Sequence, residues 1–132
     1  MSIYCGDMQS ITCTHSGTTY KFKPKANESF NVDTGGIRNN DDANQKTTDG
    51  SMIIQKNTFR GMIEGPIGVE QETEKILSML CESALPQIWT FVSISGRTYT
   101  TNDGVIVGDI QSDSNVGTMT LKVACSKYRQ LT

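Results

Sequence analysis

The alternation of apolar and polar residues changes character several times along the chain. Residues 2–15 alternate loosely through Ile3, Cys5, Ile11, Cys13 and His15, which predicts a strand near 10–14. Ser16-Gly17 reads as a turn, and Thr18–Lys23 alternates again, with Tyr20 and Phe22 against Lys21 and Lys23. Pro24 ends that strand because it has no N–H to donate to a ladder. Residues 51–63 regain strand character, with Gly61 marking a bulge or a close backbone approach. Gly65-Pro66-Ile67-Gly68 reads as punctuation. Residues 69–84 form the one clear helix, with Val69, Thr73, Ile76, Leu77, Leu80 and Ala84 on one face, and Pro86 prevents its continuation. Residues 87–95 are apolar on both parities (Ile88, Val92, Ile94 against Trp89, Phe91), which predicts a strand buried on both faces. Gly96-Arg97 turns into Thr98–Thr101, Asn102-Asp103-Gly104 is a second turn signal, and Val105–Ile110 reads as a further strand. After a polar loop at 113–117, residues 118–125 alternate cleanly, with Met119, Leu121, Val123 and Cys125 inward. The tail, SKYRQLT, reads as basic and peripheral.

Between these stretches, residues 31–50 stand apart. They hold five Asn/Gln, four Asp and three Gly, with only Val32, Ile37 and Ala43 apolar. Twenty such residues are too long for an ordinary hairpin loop. The segment is either disordered or ordered by something outside the domain. The whole is one domain, 1–132, of β-dominated α+β class, since short strands surround a single helix.

Composition sharpens this picture. Apolar residues make up 36% of 132, a thin core for a chain of this length, and Thr is the commonest residue at 16 while Ala numbers four. Thr favours strands and Ala favours helices. A thin core implies marginal stability, a long solvated segment, or burial against partner chains. Net charge is −2 and no polybasic run exists, which disfavours a protein that grips DNA phosphates. No apolar run of 18 residues predicts a membrane span, and MSIYCGDMQS lacks the character of a signal peptide. The expected setting at synthesis is therefore a reducing compartment. The spacing of Cys5, Cys13, Cys81 and Cys125 matches no zinc pattern. Four buried thiols are the plain reading, with disulfides formed after release to an oxidising medium as the second.

Catalytic chemistry finds little support. His15 is the only histidine, so no multi-histidine metal site can form. Asp41-Asp42 is a carboxylate pair in a polar segment with nothing to fix it. Glu70, Glu72 and Glu74 suit a helix N-terminus rather than acid–base work. Gly35-Gly36 lacks a phosphate-cradling spacing, and Asp103-Gly104 with Gly108-Asp109 lacks the ligands of an EF-hand. No enzyme and no cofactor is expected; a structural or binding protein is favoured.

Three segments carry a family resemblance: Gly61–Gly68 running into the helix; Trp89–Thr101 with Gly96-Arg97-Thr98-Tyr99, then Asn102 and Val107-Gly108-Asp109; and Gly117–Leu131. In this order and spacing they resemble the tail tube protein of contractile-tailed, Mu-like bacteriophages, over roughly residues 16–131. The chain departs from that family in its four cysteines and in Asp103-Gly104, where an Ala and an aromatic are usual. The resemblance implies an antiparallel β-barrel or sandwich with a flanking helix. It implies hexameric rings stacked into a hollow tube inside a contractile sheath, conducting DNA. Implied partners are further copies of the chain, a tail sheath protein, and a tape measure protein and DNA in the lumen without sequence-specific binding. Implied location is the virion tail, after assembly in the host cytoplasm. The 31–50 segment becomes an inter-ring arm, with Arg38 and Lys46 facing acidic residues of the next ring and Asp33, Asp41, Asp42 and Asp49 facing basic ones. Glu70, Glu74, Lys75 and Glu82 become candidates for the sheath-facing surface. Because virions persist outside cells, at least one of Cys5, Cys13, Cys81 and Cys125 is a disulfide candidate, the N-terminal pair first. Alternatives are a small β-rich ligand-binding or chaperone-like module with 31–50 as its binding loop, or the tube of a tailocin or type VI-like secretion device.

Overall fold

The computed structural model describes residues 2–40 and 46–132. Among the described residues, ten strands and one helix follow in the order β1 (Met8–His15), β2 (Thr18–Pro24), β3 (Asn31–Asp33), β4 (Gly36–Asn39), β5 (Lys56–Phe59), β6 (Gly61–Gly68), α1 (Thr73–Glu82), β7 (Gln87–Ser93), β8 (Thr98–Ile106), β9 (Thr118–Cys125) and β10 (Arg129–Gln130). Six of them close an antiparallel barrel, β1–β2–β6–β9–β8–β7 and back to β1. Closure removes the open edges that a sheet otherwise presents. β3 shares one edge of β6 with β2, β10 shares one edge of β8 with β9, and β4–β5 form a separate two-stranded hairpin.

The β1–β2 connection is a two-residue hairpin. Ser16 and Gly17 both have positive φ (50° and 80°), the twist that matches paired strands, and His15 pairs with Thr18. β9 alternates as its sequence predicts: Met119, Leu121, Val123 and Cys125 are buried. In β6, Pro66 lies within the strand, not in a break between elements. Its carbonyl accepts from Lys25 N (3.1 Å), and its missing N–H faces the same edge, where β2 ends and β3 takes over. The ladder to β9 on the other edge runs unbroken past it.

Three other expectations are corrected. Asn102-Asp103-Gly104 does not turn the chain: β8 runs straight through it, with a register shift opposite Gln87–Trp89 that accommodates the extra residue. A Cβ on Gly104 would sit 2.5 Å from Trp89 Cδ1, so this glycine serves a close approach to an aromatic. β7 is buried on one face only. Gln87, Trp89 and Phe91 point inward, while Ile88 is 47% exposed and Ile94, just past the strand's end, 63%. The tail is not peripheral throughout, because Tyr128 is buried and donates its hydroxyl to the Val123 carbonyl (2.7 Å).

The barrel interior holds a ladder of rings. Phe22 stacks on Trp89 at 5.5 Å, Trp89 on Phe91 at 6.0 Å, and Phe91 meets Tyr128 edge-on at 5.9 Å. The helix is shorter than 69–84: Glu70–Thr73 form a turn, with Thr73 N donating to the Glu70 carbonyl and Thr73 Oγ1 accepting from Glu70 N. Its Thr73, Leu77 and Leu80 join the core. Buried Gln87 ties it to the barrel, donating to the Leu80 carbonyl (3.0 Å) and accepting from Trp89 Nε1 (3.3 Å). One side chain thereby satisfies both a helix-terminal carbonyl and the indole N–H.

Candidate functional site

The segment expected as one extended loop over 31–50 is the start of a built arm. β3 lies on the barrel, and β4 pairs with β5 and with no barrel strand. Its base is fixed where two glycines meet. A Cβ on Gly35 would fall 2.5 Å from Gly61 N, and one on Gly61 would fall 2.9 Å from the Thr34 carbonyl. The close approach suggested by Gly61 therefore locates the arm's root. Tyr128 N donates to the same Thr34 carbonyl (2.9 Å), so the core aromatic and the arm root are joined through one peptide.

Beyond that root the arm presents apolar side chains to solvent: Ile37, Met52, Ile53, Ile54 and Phe59 are all exposed, Met52 at 77%. Met52, Ile53 and Ile54 line a groove with Asn39, Asn40 and Lys56. Arg38 covers part of this apolar surface, its guanidinium 5.5 Å from the Phe59 ring centroid, and pairs with Asp33. Thr47, Asp49 and Ser51 make a tight polar turn in which Thr47 Oγ1 and Ser51 N donate to Asp49. Those bonds, Thr47 first, hold the Asp49 carboxyl below its ordinary range. Lys46 bridges to Met52 through backbone pairing. Asp41 and Asp42 lie outside the described residues. Of the polar arm residues singled out from sequence, Asp33 and Arg38 are thus brought together, and Lys46 and Asp49 frame a turn. The exposed apolar residues of the arm were missed. Their signal was present in the run Met52-Ile53-Ile54, which no period-2 alternation accounts for.

The helix residues divide as well. Glu74, Lys75 and Glu82 lie on the exposed face of α1. Glu70 sits in the preceding turn and pairs with Lys23 at 2.8 Å. The cysteines are all free thiols: Cys5 and Cys81 exposed, Cys13 and Cys125 buried. Burial pushes the Cys13 thiol up to about 12 and raises that of Cys125. His15 contacts Ser83 Oγ through Nε2 at 3.2 Å. Among the described residues no group of three or more His, Cys, Asp or Glu is placed to hold a metal ion, and no helix is long and apolar enough to cross a membrane.

No protein-family model matches this chain, and no curated protein does. Among solved structures, the chain is similar to one in the cryo-EM structure of the anti-feeding prophage baseplate, 6-fold symmetrised. The likeness covers 99% of this chain and 97% of that one, at 13% identity and a TM-score of 0.47. A likeness so distant assigns no function.

Proposed function

We propose that this chain is the repeating structural subunit of a contractile-tail tube, forming hexameric rings that stack into a hollow conduit for DNA. The observation that carries the reading is the arm: a hairpin fixed at its root, projecting five large apolar side chains into solvent. A lone chain gains nothing by exposing them, whereas each fully buried at an interface contributes about 1.5–3 kcal/mol. The resemblance in Gly61–Gly68, Trp89–Thr101 and Gly117–Leu131 supplies the identity of the assembly, and the closed barrel agrees with what that resemblance implies. In this reading the arm meets the adjacent subunit or ring, the exposed face of α1 with Glu74, Lys75 and Glu82 is turned toward the sheath protein, and the tape measure protein and DNA occupy the lumen. The role is structural, without catalysis, in the virion tail.

The test is negative-stain electron microscopy of the concentrated protein, with sizing chromatography beside it. Wild-type protein is expected to form rings or hollow tubes. The double substitution Ile53→Asp with Ile54→Asp is expected to leave a folded monomer by circular dichroism and to abolish assembly. A wild-type chain that stays monomeric even when seeded with preformed tail baseplates would overturn the reading.

A further inference from the structure

Folding sorts the charges of this acidic chain. Of its fourteen carboxylates, none lies on β1, β2 or β7. The one carboxylate on β8, Asp103, is half-buried and taken up by hydrogen bonds from Thr101 Oγ1 (2.7 Å) and Ser126 N (3.4 Å). Among the described residues, the outer face of β2–β1–β7–β8 with β10 is therefore a wall on which no side-chain carboxylate is left free. Its central row runs straight across five strands as Lys21, Thr12, Thr90, Thr100 and Arg129, each directly opposite the next. The flanking rows are Thr19–Thr14–Ile88 and Ser10–Val92–Thr98. Many of the hydroxyls are spent on one another or on the backbone: Thr14 with Thr19 at 3.1 Å, Thr90 with Thr100 at 3.2 Å, and Thr100 to the Trp89 carbonyl at 3.2 Å. Lys127 and Arg129 flank a shallow depression with Ile88, Thr100 and Asn102 at one end of the wall, and Lys21 stands at the other. Lys23, beside Lys21, marks the margin, since it already holds Glu70. The opposite wall, β6–β9, is mixed in charge, with Glu64 facing Lys122 at 3.7 Å and Asp109 nearby.

From this segregation we infer that the β2–β1–β7–β8–β10 wall is the surface along which a nucleic-acid backbone passes. A wall on which none of the described side-chain carboxylates is left free avoids repelling phosphates. Hydroxyls already paired offer few base-reading donors, so no sequence is selected. Three cations at the ends, Lys21, Lys127 and Arg129, which hold no ion pair among the described residues, give weak, salt-sensitive attraction rather than a grip. The inference deepens the tube reading and rests on it for orientation, since the wall then faces the bore.

The experiment is fluorescence anisotropy of the full chain with a labelled mixed-sequence 30-base-pair duplex in 20 mM salt. Binding is expected to be equal for two unrelated sequences and to fall roughly 10²-fold by 150 mM salt, as about three phosphate contacts require. The triple variant Lys21→Glu, Lys127→Glu, Arg129→Glu is expected to bind at least tenfold more weakly. A charge-matched triple off the wall, Lys25→Glu, Arg60→Glu, Lys122→Glu, is expected to stay within about threefold of wild type. Equal weakening in both triples, or no binding by wild type, overturns the inference. So does loss of ring formation in the wall triple, which would make the wall a subunit interface. Tubes without duplex binding remove this inference alone; wall-dependent binding without tubes removes the tube reading and leaves the wall's partner standing.

Discussion

Gly104 and Trp89 show how one residue decides a strand. The sequence Asn-Asp-Gly is a strong turn signal, and nothing local distinguishes it from one. What overrides it is Trp89, whose indole leaves no room for a Cβ at position 104. Gly104→Ala is expected to destabilise the chain by about 1–3 kcal/mol, read as a lower urea midpoint with an unchanged slope. An unaffected midpoint would show that the ring can give way. Tyr128 was hidden for a related reason. It lies between Lys127 and Arg129, and it is held in the interior by tertiary contacts, its ring edge-on to Phe91 and its N–H donating to the Thr34 carbonyl, which no local periodicity signals. Cys13 yields a prediction about pH. Its folded thiol is raised from 9.0 to about 12 by burial, so the folded state holds the proton more tightly than the unfolded one. The contribution is full below pH 9 and is lost as pH rises toward 12, at up to about 1.4 kcal/mol per pH unit. Urea midpoints between pH 8 and 11 are expected to fall for wild type and to fall less steeply for Cys13→Ala.

Elements were legible where one face is buried and the other solvated. β1, β2 and β9 follow their alternation, and the apolar face of α1 is the expected one from Thr73 to Leu80. The stretch 87–95 misled because Ile88 is exposed on β7, Val92 is only half-buried, and Ile94 lies exposed beyond the strand's end, whereas periodicity counted all three as core. The arm was legible only as an anomaly of composition, because β4 and β5 bury no face against the barrel and carry no alternation that burial would impose. That independence is testable. In the ladder Asn39 lies opposite Lys56, so residues 40–55 can be replaced by Asn-Gly to give a two-residue hairpin. The shortened chain is expected to keep its barrel, with a melting temperature within a few degrees of wild type, and to lose assembly in sedimentation velocity. Loss of the fold instead would mean that the arm supports the barrel.

At the scale of the whole molecule, the thin core of the sequence has a location. The apolar residues missing from the interior lie on the arm and at Ile3 and Tyr4 of the N-terminal segment. Assembly through such surfaces is driven by removing apolar area from water, so its response to salt differs from that of an assembly held by ion pairs. The charged contacts available to the chain are exposed pairs such as Lys23–Glu70 and Lys75–Glu72, each worth at most about 1 kcal/mol and screened by salt. At 1 M sodium chloride the screening length is about 3 Å, which removes most of that contribution. Assemblies of the wild-type chain are therefore expected to persist in 1 M sodium chloride and to lengthen in ammonium sulfate, as measured by sedimentation velocity. Dissolution in sodium chloride would transfer the main role to the polar arm residues Asp33, Arg38, Lys46 and Asp49. It would make the apolar hairpin a surface for some other partner.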